Sequence, residues 1–273
     1  MTQTASVATH TLDVPGARLH YELRGSGPLI AMVGAPMSAA AFAPAAELLA
    51  TDHTVLTMDP RGHHGSVLDD PEQDSTPELR ADDLARILIR LDAGPAVVFG
   101  SSGGAVTTLA LVQAHPELLD TAIAHEPPLH RVLDNHAELR AGTDDLIATY
   151  ARGEVLGAWR KFFANAGMQM PEPMLEQMFG GDRAAADVAS ERFWYLHELD
   201  GTSWWTPDLA ALRATPVRVV AGIGAASANG FCDRTTRALA ARIGVEPTLF
   251  PGGHTGFVED PAAFVTRLRA VLG

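Results

Sequence analysis

The spacing of hydrophobic and polar positions changes character twice along this chain. In the first half, short apolar runs alternate with amphipathic stretches. Residues 18–23 and 29–33 predict strands, and 39–50 predicts a helix. Residues 53–58 predict a further strand, 77–91 a helix and 95–99 another strand. A helix from 103 to about 115 then leads into a strand at 121–125. Strand–helix alternation of this kind argues for an α/β fold, a mostly parallel sheet with helices on both faces. Right-handed crossovers then gather the functional loops at the carboxyl ends of the strands.

After Pro127-Pro128 the period becomes helical, and no convincing strand occurs over 129–207. Alternation resumes with a strand at 217–221, a helix at 235–243, a strand at 247–250 and a helix at 262–272. The expected organisation is a core of 1–128 and 208–273, with residues 129–207 inserted as a helical cap. No internal repeat is present.

Composition narrows the class. With 273 residues, 47% of them hydrophobic, and 25 glycines, the chain suits one large α/β domain with an insertion. A net charge of −13 disfavours nucleic acid and anionic membrane surfaces as partners. The single cysteine, Cys232, rules out an internal disulfide and a cysteine-based zinc site, and fits a reducing compartment. No apolar run reaches membrane-spanning length, and residues 1–10 are polar without a signal pattern. The cytoplasm is the expected location, and nothing in the sequence opposes a homodimer.

Candidate chemistry begins at Gly100-Ser101-Ser102-Gly103-Gly104, between a predicted strand and a predicted helix. That context suits a nucleophile elbow, in which Ser102 sits on strained backbone with its hydroxyl exposed above the sheet. Gly100 and Gly104 would let strand and helix approach without Cβ clashes. A serine hydroxyl needs a base. Among 11 histidines, His254 stands out, because Pro251-Gly252-Gly253-His254-Thr255-Gly256 lies between the last strand and the last helix. Two acids could orient it. Glu126 ends the strand after the elbow, whereas Asp233 follows the turn Gly222-Ile223-Gly224-Ala225-Ala226-Ser227, which holds no carboxylate. Glu126 is favoured, since a strand-end glutamate can reach the second imidazole nitrogen. Gly103, next to the serine, and Ala35, after an early strand, are the candidate backbone donors for an oxyanion. Adjacent His63 and His64 invite a metal reading, but side chains at neighbouring positions seldom converge on one ion. No metal or cofactor is expected.

Together these segments resemble the α/β-hydrolase superfamily over nearly the whole chain. They look most similar to capped serine hydrolases that include the zearalenone lactonases. The likeness rests on the Ser-Ser-Gly elbow at Ser102, the His-Glu-Pro strand end at Glu126, the Gly224-Ala225-Ala226 turn and the Pro-Gly-Gly-His254 loop. The resemblance implies a triad of Ser102, Glu126 and His254. Two departures stand out. Val33 occupies a place where these hydrolases commonly carry histidine, and the interior of Asp59-Pro60-Arg61-Gly62-His63-His64-Gly65-Ser66 is altered.

The predicted cap is rich in aromatics and methionines, and three of the four tryptophans lie between 194 and 205. Most should pack cap against core. Some should line a pocket for a bulky apolar small molecule, with Trp194, Trp204 and Met170 as candidate contacts. The expected activity is hydrolysis of a carboxylic ester or lactone. Alternatives are other serine-triad chemistry (thioester or C–C bond hydrolysis, cofactor-free haloperoxidase-type activity) and a non-catalytic ligand-binding protein on the same fold. Dehalogenation and epoxide hydrolysis are disfavoured, because those relatives use aspartate where this chain has Ser102.

Overall fold

The computed structural model describes residues 6–273; residues 1–5, the start of the polar N-terminus, lie outside the described residues. A single sheet organises the described chain. Its strands are β1 (Ala8–Val14), β2 (Ala17–Gly25), β3 (Leu29–Val33), β4 (Thr54–Met58), β5 (Val67–Leu68), β6 (Ala96–Ser101), β7 (Leu119–His125), β8 (Arg218–Gly224) and β9 (Thr248–Phe250). They run in the order β1-β2-β4-β3-β6-β7-β8-β9, with the two-residue β5 pairing on β2. From β4 to β9 every pairing is parallel, and only the pairings of β2 with β1, β4 and β5 are antiparallel.

Parallel strands covered on both faces read as continuous apolar runs. All five residues of β3 are buried for this reason. Their side chains divide with the two-residue period of a strand. Leu29, Ala31 and Val33 join one core cluster, and Ile30 and Met32 join another on the opposite face. The first cluster includes residues of α2 (Pro77–Leu91) and α3 (Gly103–Ala114), and the second residues of α1 (Ala39–Leu49). Helix α2 carries its own boundaries. Thr76 Oγ1 accepts the Leu79 N–H at 3.3 Å, Pro77 opens the first turn, and Asp92 in the left-handed region stops the helix. Helix α3 is apolar on every side and buried on every side, as the central helix of the layer must be.

Between β7 and β8 the described residues contain no strand. They form α4 (His136–Ala151), α5 (Val155–Ala166), α6 (Glu172–Phe179), α7 (Ala185–Phe193), a π-helical stretch at Trp194–Glu198, α8 (Leu199–Ser203) and α9 (Leu209–Ala214). Leu146, Tyr150, Ala158, Trp194, Tyr195 and Leu199 make a separate apolar cluster there. The margins of the expected 129–207 segment behave differently. Leu129, Val132 and Trp205 belong to the sheet's own core.

The remaining helices are α10 (Phe231–Ile243), α11 (Gly256–Glu259) and α12 (Pro261–Leu272). Helix α10 starts four residues before its predicted beginning at 235, because Asp233 in its first turn reaches back to accept the Asn229 N–H at 2.9 Å. Strand β1 was not predicted. Five of its seven residues are exposed, so it carries no apolar signature, and its strand character comes from pairing with β2.

Candidate active site

At the end of β6 the backbone turns abruptly into α3 through Ser102, whose φ is 56° and ψ −123°. A positive φ is costly for a serine, and surrounding contacts hold it. Its N–H donates to the His125 carbonyl at 2.9 Å, and its carbonyl accepts the Ala105 N–H at 2.9 Å. The flanking glycines are required by contact. A methyl group on Gly104 would collide with the Val33 carbonyl oxygen, and one on Gly100 with the Gly104 carbonyl and the Thr108 hydroxyl. The elbow therefore sits backbone-to-backbone against β3. Gly103 lies equally close to Ala35, and both line the same cavity. As the first residue of α3, Gly103 has no partner for its N–H within the helix.

His254 and Glu126 meet from opposite sides of β8. Glu126 directly follows β7, with φ 54°, and its N–H donates to the Gly222 carbonyl at 3.0 Å. Its carboxylate is buried. Oε1 accepts the Gly224 N–H at 2.8 Å, and Oε2 lies 2.5 Å from His254 Nδ1. Burial would raise this carboxyl's pKa, but the bond to His254 and the charges of His254 and His125 hold it below the usual range. For His254, burial pulls the pKa down. Cys232 and Glu126 oppose that and raise it to about 10.

The two candidate acids are thus separated by the fold. Glu126 reaches His254, and Asp233 does not. Asp233 Oδ2 takes the Asn229 N–H, and Oδ1 takes Arg237 Nε at 2.7 Å, so its carboxylate serves the start of α10.

A cavity of about 930 Å³ opens over the ends of the strands. Ser102, Gly103, Ala35, Glu126 and His254 form its floor, and the helices between β7 and β8 supply its roof. Of the three candidate contacts, Trp194 lies in the wall, whereas Met170 and Trp204 are not among the lining residues. Met170 stands just before Pro171, past the lining pair Met168 and Gln169. The Trp204 ring is engaged elsewhere, 4.9 Å from the His130 ring and beneath the guanidinium groups of Arg131 and Arg140 at 5.6 and 5.2 Å. Trp159, Phe162, Phe163 and Phe179 are the further aromatic wall. Trp159 stacks on Phe179 with ring centres 3.9 Å apart and on Trp194 at 5.3 Å. His130 also lines the cavity; burial pulls its pKa down to about 4, so it stands neutral there at neutral pH. Helical spacing alone does not say which side of a cap faces the sheet, so the sequence does not single these wall residues out.

The loop at Asp59–Ser66 braces this face. Asp59 accepts the Ala39 N–H at 2.9 Å and the Gly65 N–H at 3.0 Å. Arg61 makes a buried two-point bond to Asp83, both distances 2.7 Å. His63 and His64 diverge. His63 lies 2.7 Å from Ser190 Oγ and 3.1 Å from Glu198, while His64 is 4.0 Å from Asp187. The altered interior of this loop is what ties it to the overlying helices. Glu198 also approaches Arg80 at 3.4 Å, which joins α2 to the same buried group.

The chain as a whole has counterparts among known proteins. The profile of the Alpha/beta hydrolase family matches residues 29–267, most of the chain. The chain belongs to that family. The hydrolase YraK of Bacillus subtilis is 34% identical over 269 residues, covering 96% of this chain and 95% of the relative. A zearalenone hydrolase of Bionectria ochroleuca is 27% identical over 270 residues, covering 93% and 94%. Among solved structures, a hydrolase from Pseudomonas aeruginosa superposes with a TM-score of 0.71 at 22% identity, over 97% of this chain and 98% of the other. The protein is a hydrolase of the α/β-hydrolase type. Among the described residues no helix is long and apolar enough to cross a membrane.

Proposed function

We propose that this protein is a serine hydrolase that cleaves a carboxylic ester or lactone of a bulky apolar molecule. One observation carries the reading: His254, 2.5 Å from the buried Glu126 carboxylate, opens into the cavity that the strained Ser102 lines. Glu126 accepts the proton on His254 Nδ1, which leaves Nε2 free to take a proton from Ser102. The serine attacks the carbonyl carbon, and the oxyanion is held by the N–H groups of Gly103 and Ala35. His254 then protonates the leaving alkoxide, and water releases the acid from the acyl-enzyme. In a lactone the alkoxide stays attached to the acyl chain, so one product forms instead of two. Helices α4 to α8 act as the cap, and their aromatic wall favours an uncharged, ring-bearing substrate.

An organophosphate probe tests the chemistry, with mass spectrometry locating the label. Label on Ser102 in folded protein is expected, and its absence would defeat the proposal. Ser102→Ala should lower turnover by roughly 10⁴-fold or more. p-Nitrophenyl esters screened beside macrolactones sort ester from lactone preference. The similarity to a zearalenone hydrolase brings zearalenone itself into that screen.

A further inference from the structure

Cys232 is the chain's single cysteine, and the fold turns it toward the Glu126–His254 pair. It is the second residue of α10 and lines the cavity. One ligating atom each from Glu126, Cys232 and His254 lie within 4.8 Å of one another, the one such trio among the described residues. We propose that this trio binds a soft divalent cation of the zinc or cadmium type, and that such binding inhibits the enzyme.

The donor set selects the ion. Thiolate, imidazole and carboxylate suit zinc and its heavier congener, whereas magnesium and calcium want oxygen donors only. Bonds of roughly 2.0–2.3 Å in a tetrahedron place donors about 3.3–3.8 Å apart, so the widest spacing must close by roughly 1 Å, and if Nδ1 ligates, its 2.5 Å contact with Glu126 must open by nearly as much. Three side chains leave the fourth position for a water from the cavity. The net charge of −13 raises the local concentration of cations. Counting cysteines in the sequence excludes a thiolate-rich site and is blind to this mixed one, whose donors come from the residue after β7, from α10 and from the loop after β9.

Binding is a ligation without electron transfer. The thiol and the imidazole nitrogen that ligates each release their proton to water, and the cation accepts lone pairs from Sγ, that nitrogen and one carboxylate oxygen. If Nδ1 ligates, the proton shared with Glu126 is displaced. If Nε2 ligates, the lone pair that would receive the serine proton is occupied. Either outcome stops the proposed catalysis. The inhibitory half rests on that functional reading, and the binding half does not.

The test is titration of metal-free full-length protein with Cd2+, following the sulfur-to-cadmium charge-transfer absorbance. With one cysteine in the chain, that band reports Cys232 alone. Zn2+ affinity is read by competition with a chromophoric chelator. One equivalent should saturate the site, and C232S should remove the band. E126Q and H254Q should each weaken affinity by at least the ~10–100-fold that loss of an outer-shell partner costs. In the unmodified protein, Zn2+ should also shift the His254 ring resonances in one stoichiometric step. Absence of the band, an affinity unchanged in E126Q and H254Q, or unmoved His254 resonances would each overturn the site. Metal binding without probe label on Ser102 would sink the hydrolytic mechanism and leave the site standing.

Discussion

Glu126→Gln keeps the shape of the side chain and changes which partner carries the proton. The amide oxygen can still accept the Gly224 N–H now bonded at 2.8 Å, so the fold loses little. The amide nitrogen then faces His254 Nδ1, across the 2.5 Å gap now bridged by one proton. An amide N–H can only donate, so Nδ1 must accept and the ring proton moves to Nε2. In that tautomer His254 has no lone pair for the Ser102 proton. The equivalent carboxylate-to-amide change in a serine triad lowers kcat by ~10⁴. At 1.36 kcal/mol per decade that is about 5.4 kcal/mol of barrier. The assay is kcat on a p-nitrophenyl ester, with a urea titration to show that stability is nearly unchanged. Asp233→Asn is the control. Its carboxylate serves Asn229 and Arg237, so it should cost about 1 kcal/mol of stability and leave kcat within a few-fold of wild type. A Glu126→Gln enzyme within about tenfold of wild type, or an equal loss in Asp233→Asn, would refute the assignment of the acid.

Because Cys232 and Glu126 raise the His254 pKa to about 10, kcat/KM should climb with pH well above the ordinary histidine range. C232S should move that acid limb to lower pH, as read from a pH–rate profile. His125 is fully buried among Phe99, Phe250 and Phe264, and burial lowers its pKa to about 4. Its stabilising contribution is present above the unfolded value of about 6.5 and is lost as pH falls toward 4, since the unfolded chain takes up the proton first. His254 runs the other way: the folded ring stays protonated while the unfolded one loses its proton toward pH 7, so its contribution grows as pH falls from 7 to 5 and offsets part of the loss from His125. Urea midpoints at pH 7 and pH 5 should still differ, and His125→Leu should abolish the fall toward pH 5. Asp83→Ala strands the buried Arg61 guanidinium and should cost about 3–5 kcal/mol in a thermal or urea melt.

What could be read from the sequence is what neighbouring residues decide among themselves. The elbow is local: two glycines, a serine, an apolar run before and a helix after, all within a few turns of chain. The parallel strands were legible because burial on both faces forces an unbroken apolar run, as in β3. The loop carrying His254 was legible for the same local reason, a glycine-rich stretch between the last strand and the last helix. Strand β1 was not, because it is held by hydrogen bonds to β2 while most of its side chains face solvent.

Sequence argument favours Glu126 over Asp233 without showing their neighbours, and the tertiary structure puts only Glu126 beside His254. Both are acids near the end of a strand or the start of a helix, and only packing shows that the Gly224 N–H and His254 converge on the Glu126 carboxylate. The cavity wall was decided the same way. Met170 and Trp204 share the composition of the residues that line it, but their neighbours turn them elsewhere, Trp204 onto His130 and two arginines. Cys232 is the extreme case, a lone thiol whose meaning comes from side chains distant in sequence. Local backbone rules fixed the order of strands and helices and the candidate nucleophile in advance. Which groups share a proton, a wall or an ion depended on contacts between distant segments, and those exist only once the chain is folded.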